Sequence, residues 1–103
     1  MNNLNDYAVE LVRNMIKENE NEIGKTCYRD IRFECLSYTT AVLKEILSRL
    51  ESNVDASPIT IIQDYREQMS NYTFYTEKGI MMCLIACDIS NDIFYELNDR
   101  RRC

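Results

Sequence analysis

Asp88, Asp92 and Glu96 recur at four-residue steps, and Asp99 completes the row. On a helix, at ~100° per residue, that spacing lines all four along one face. Carboxylates are hard oxygen donors, and such a row could hold Mg²⁺ for phosphate chemistry. The plainer reading is a solvated helix face, and it is the one preferred here. Cysteine supplies the second set of chemically capable side chains: Cys27, Cys35, Cys83, Cys87 and Cys103. Cys27 and Cys35 are eight apart and Cys83 and Cys87 four apart, so each pair falls on one helical face. Four thiolates from two helices are a conceivable zinc set. No CxxC knuckle is present, however, and all four lie among Ile, Leu and Tyr, which reads as buried structural thiols. Cys103 follows Arg100, Arg101 and Arg102 and is expected to be exposed and oxidisable.

The absent residues exclude more than the present ones suggest. There is no His, which removes Ser-His triads and every His-containing metal site. Two Gly in 103 residues leave no phosphate-cradling loop and no dinucleotide fingerprint. A formal charge of −5 disfavours direct nucleic-acid binding, which needs clustered Lys and Arg. The Arg100–Arg102 cluster is expected to be a solvated tail that complements the negative end of a helix dipole. The longest apolar run, Ile80 to Cys87, is far shorter than the ~20 residues of a membrane helix. No cationic-apolar leader opens the chain, and the odd cysteine count lacks the spacing of a secreted disulfide scaffold. A cytoplasmic protein that touches neither membrane nor nucleic acid is expected.

These side chains must be positioned by helices. Apolar residues follow helical spacing in four stretches, which predicts a single all-α domain over 1–103. It should be an antiparallel bundle with helices near 3–20, 27–52, 58–71 and 77–98. In the first, Leu4, Tyr7, Ala8, Leu11, Val12, Met15 and Ile16 share a side, and Gly24 is the expected stop. Thr26 is the expected N-cap of the second. That helix carries the widest apolar arc (Tyr28, Ile31, Cys35, Leu36, Tyr38, Val42, Leu43, Ile46, Leu47 and Leu50) and so should be central. Arg32 points into this arc and should snorkel; Phe33 falls on the polar side and should be exposed. Ser57-Pro58 is the sharpest start signal in the chain, and Thr76 should cap the last helix. Tyr72, Phe74 and Tyr75 are expected to form an aromatic connection, covering the core or meeting a partner.

Two spaced acid pairs, Asp64-x-x-Glu67 and Glu96-x-x-Asp99, resemble the paired acidic motifs of all-α nucleotide pyrophosphohydrolases. That family's denser first motif, Glu-Glu-x-x-Glu, is absent from this chain. The resemblance implies a metal-dependent phosphohydrolase acting through Asp88, Asp92, Glu96 and Asp99, with Asp64 and Glu67 as further candidates. A third reading is an acidic regulator that occupies a basic nucleic-acid site on another protein. The leading expectation is a non-enzymatic module without cofactor that binds protein, itself first, as a homodimer. Phe33, Met81 and Ile85 are the expected interface, because the helical wheel leaves them no inward direction once the helices pack.

Overall fold

The computed structural model describes residues 3–53, 55–71 and 76–102. They form four helices: α1 (Asn3–Lys25), α2 (Ile31–Ser52), α3 (Pro58–Asn71) and α4 (Glu77–Arg102). There is no strand among the described residues, and the all-α bundle is the fold observed. Cross-helix contacts fix the directions. Arg13 pairs with Glu51 and Glu20 with Lys44, so α1 and α2 run antiparallel. Cys83 meets Met69, Arg49 lies over the Tyr65 ring, and Arg100 lies over the Tyr7 ring. Hence α3 is antiparallel to both α2 and α4, and α4 is antiparallel to α1. The chain therefore climbs and descends twice, and α2 and α4 start at the same end. All four helices touch one another, but across the bundle α2 and α4 meet far more extensively than α1 and α3, so they share the centre that the sequence assigned to α2 alone.

The helix boundaries show which local signals prevailed. α1 continues through Gly24 to Lys25, past the loss of its apolar period. Gly24 keeps a helical backbone with no positive φ, so it is not a stop. Ion pairs of Glu20 to Lys44 and Glu22 to Arg32 fasten this polar extension to α2. Thr26 closes α1 rather than opening α2: its N–H donates to Ile23 O (3.1 Å) and its Oγ1 to Glu22 O (2.7 Å). Asp30 caps α2 instead, its carboxylate accepting from the Arg32 N–H at 3.0 Å. Arg32 does not snorkel into the apolar arc; it is exposed and reaches back to Glu22 at 3.1 Å.

The two start signals downstream hold as read. Pro58 opens α3, where its missing N–H leaves no bond unmade, and the first helical bond runs from Ile61 N–H to Ser57 O. Thr76 Oγ1 accepts from Gly79 N–H at 3.1 Å and caps α4. α4 extends to Arg102, beyond the expected end near 98. Its last turns are held by the Arg100 guanidinium, 5.1 Å from the Tyr7 ring centre. The connection Tyr72–Tyr75 and the thiol of Cys103 lie outside the described residues.

Full burial is confined to one half of the bundle. Ala8, Val12 and Ile16 of α1 meet Val42, Leu43, Ile46 and Leu50 of α2. Ile59, Ile61, Ile62 and Tyr65 of α3 and Ala86, Ile93 and Leu97 of α4 complete the cluster. Each such Leu or Ile contributes roughly 1.5–3 kcal/mol. The four ion pairs seen among the described residues are largely exposed, and pairs of that kind contribute about 0–1 kcal/mol each. Apolar packing therefore holds the fold. In the other half, none of 17–25, 31–39, 66–71 or 77–85 contains a fully buried residue.

Candidate functional site

That open half carries four of the five large apolar side chains left exposed among the described residues; the fifth, Tyr95, lies further along α4. Tyr28 is 70% exposed, Ile31 69%, Ile80 51% and Leu84 62%. Tyr28 lies in the α1–α2 connection and Ile31 begins α2. Ile80 and Leu84 stand four apart on the first turns of α4, so they share one face. Because α2 and α4 start together, all four belong to the same end of the molecule. A groove of about 500 Å³ joins the two starts, with Tyr28, Ile31, Phe33 and Tyr38 on one side and Lys78 of α4 on the other. Tyr38 donates to Glu34 at 2.9 Å across one turn. That bond, which favours the protonated phenol, raises the Tyr38 pKa above its ordinary value.

Phe33, Met81 and Ile85, the residues expected at an interface, all lie in this half of the molecule, and none is fully exposed. Met81 and Ile85 are half-buried, and Ile85 packs against the core cluster. The water-facing apolar side chains of this stretch are their neighbours Ile80 and Leu84. Phe33 is half-buried on the groove wall rather than singly exposed. Tyr28 and Ile31, expected in the apolar arc facing the core, face water. The wheel assigns a face to a residue but not a depth along the bundle, and the packed core begins only at Thr40 on α2. The available signal for Ile80 and Leu84 was the run Ile80–Cys87, apolar all round, which no single inward face can absorb.

The acidic row is a solvated face in the structure. Asp88, Asp92, Glu96 and Asp99 are all exposed, as are Asp64 and Glu67 on α3. At 1.5 Å per residue the row spans ~16 Å of helix, too long for one ion. Among the described residues, no group of three or more His, Cys, Asp or Glu could hold a metal ion. The four thiols are likewise not assembled. Cys27 is exposed, against the expectation of burial, while Cys35, Cys83 and Cys87 are half-buried, and all four are free. The exposure of Cys27 follows from the late start of α2, which leaves it in the connection. Cys83 Sγ donates to Met69 O at 2.7 Å, tying α4 to the end of α3. Burial, then the neighbouring Cys83, pushes the Cys87 thiol up, opposite to what a nucleophile needs.

No protein-family model, curated relative or solved structure matches this chain. Its surface chemistry therefore carries the functional reading. Among the described residues, no helix is long and apolar enough to cross a membrane.

Proposed function

We propose that this chain is a non-enzymatic helical binding module that pairs with a second copy of itself through its open end. The observation that carries the reading is the gathering of Tyr28, Ile31, Ile80 and Leu84 at one end in contact with water. Side chains of this size leave on the order of 400 Å² exposed per chain. Covering two such patches across a two-fold is worth, at ~25 cal/mol per Å², on the order of 20 kcal/mol before the cost of association. Association costs roughly 4–15 kcal/mol, and two such patches total about 800 Å² against the ~1,200–2,000 Å² of a stable interface, so they would form its apolar centre with half-buried neighbours such as Phe33 and Met81 around it. A two-fold axis lets one patch satisfy itself, which is the commonest closed symmetry.

Charge supports the same face. In the stretches 22–38 and 77–85, Lys25, Arg29, Arg32 and Lys78 balance Glu22, Asp30, Glu34 and Glu77. The open end is thus locally neutral, and the charge of −5 resides elsewhere. Two copies meeting here avoid the repulsion that other faces would impose. Free thiols in an odd-numbered set agree with a reducing, cytoplasmic setting. The test is sedimentation or light-scattering mass for the wild type and for Ile80→Glu with Leu84→Glu. The wild type should run as a dimer at micromolar concentration and the double variant as a folded monomer. A monomeric wild type, or a double variant that keeps dimer mass, overturns the reading.

A further inference from the structure

Cys83 and Cys87 stand four apart on α4, and both are half-buried. That spacing puts the two thiols on one face, and the face meets α3. Cys83 Sγ donates to Met69 O at 2.7 Å. Cys87 interacts with the Cys83 side chain and feels the charge of Arg66, and both thiols act on the Tyr65 phenol. Tyr65, Arg66 and Met69 of α3 therefore flank one pair of sulfurs.

The helix decides what can join them. Cβ atoms four residues apart lie ~5–6 Å from each other, whereas a disulfide needs ~3.5–4.5 Å. Direct S–S closure thus distorts α4, while a single atom set between the sulfurs closes the gap within the helix. Donor number then selects the atom. Thiolates favour Cu(I), zinc and iron–sulfur clusters. Structural zinc and the clusters ask for four protein ligands, and among the described residues no third His, Cys, Asp or Glu joins the pair. Cu(I) is satisfied by two sulfurs in line. Two thiolates around a monovalent ion leave one negative charge. Arg66 lies beside Cys87 to offset it and joins none of the ion pairs among the described residues.

We propose that Cys83 and Cys87 bind one Cu(I) ion as a two-coordinate dithiolate against α3. Two Cu–S bonds form, each thiol releases its proton to water, and no electron is transferred. The Cys83 bond to Met69 O is given up. That carbonyl belongs to the last turn of α3, where no intrahelical donor exists, so water takes the place of the thiol.

The experiment titrates the full chain anaerobically with Cu(I) held by bicinchoninate, whose colour fades as copper leaves it. A variant with Cys27→Ser, Cys35→Ser and Cys103→Ser should take up one ion per chain. Adding Cys87→Ser to that variant should weaken uptake at least about a hundredfold at unchanged helix content, because one sulfur is left. Zn(II) should bind the triple variant at least about a hundredfold more weakly than Cu(I). In the wild type, amide NMR shifts on adding copper should centre on 69–71 and 83–87, a localisation that needs no variant. Sedimentation of the triple variant should give the same mass with and without copper, as a site within one chain requires. Failure of the triple variant to take copper from bicinchoninate overturns the proposal. So do undiminished uptake after Cys87→Ser, zinc bound as tightly as copper, wild-type shifts centred elsewhere, or copper that joins two chains.

Discussion

Replacing Ser90 by Ala removes one buried oxygen and little else. The site is 0% exposed in mid-α4, and the Oγ has no hydrogen-bond partner. Burying an unsatisfied hydroxyl costs about 1–3 kcal/mol, which the substitution recovers. Ala adds a few tenths of a kcal/mol through helix propensity, about 0.5 on common scales. The remaining neighbours, Ile62 and Phe94 among them, keep their packing. The sum is a gain of about 2 kcal/mol, a large fraction of the margin that holds a domain of this size folded. Urea denaturation should report it as a midpoint about 1–2 M higher with unchanged slope. Thermal melting should rise by about 8–16 °C. Ser37→Ala is the control. Ser37 Oγ already donates to Phe33 O, so no orphan is relieved, and stability should move by no more than about 0.5 kcal/mol. A Ser90→Ala variant that is less stable than the wild type, or indistinguishable from it, refutes the reasoning. It would mean that the hydroxyl is satisfied in the folded protein.

Other expectations follow from the same geometry. Native-state alkylation should label exposed Cys27 rapidly and Cys87 slowly. Burial raises the Cys87 pKa, so its thiolate fraction near pH 8 falls below that of an ordinary thiol, and its rate should climb only at higher pH. Comparable rates at both positions in folded protein would contradict this. Asp30→Ala removes the cap of α2 and should cost about 1 kcal/mol in urea denaturation. A loss confined to Thr26→Ala would instead return the cap of α2 to the position expected from sequence.

The number and order of helices were legible because apolar spacing and two strong start signals, Ser57-Pro58 and Thr76, agreed with the packing that resulted. The α1–α2 junction was not legible. Thr26 and Asp30 are both good caps, and the choice turned on whether the Thr26 side chain closes α1, a matter of where α1 ends. Near that end Glu20 and Glu22 pair with Lys44 and Arg32 of α2, contacts that no local pattern displays. The expectation that Met81 and Ile85 have no inward direction missed how the burial divides along this stretch. Ile85 sinks toward the core and Leu84 does not, because the approach of α2 fixes how far around α4 the packed arc extends. Ser90 shares the arc of Ala86, Ile93 and Leu97 at helical spacing, so its burial could have been read. Its missing partner could not, since hydroxyl satisfaction depends on rotamer and neighbours.

Self-association through the open end is the central claim, and solution mass tests it most directly. Sedimentation equilibrium across nanomolar to micromolar concentration should give a monomer–dimer transition. The combined Ile80→Glu and Leu84→Glu change should shift that transition at least about a hundredfold, with helix content unaltered, as expected when two exposed anchors of a self-complementary patch are charged. Monomer mass for the wild type throughout that range would contradict the account, and so would a dimer indifferent to both substitutions.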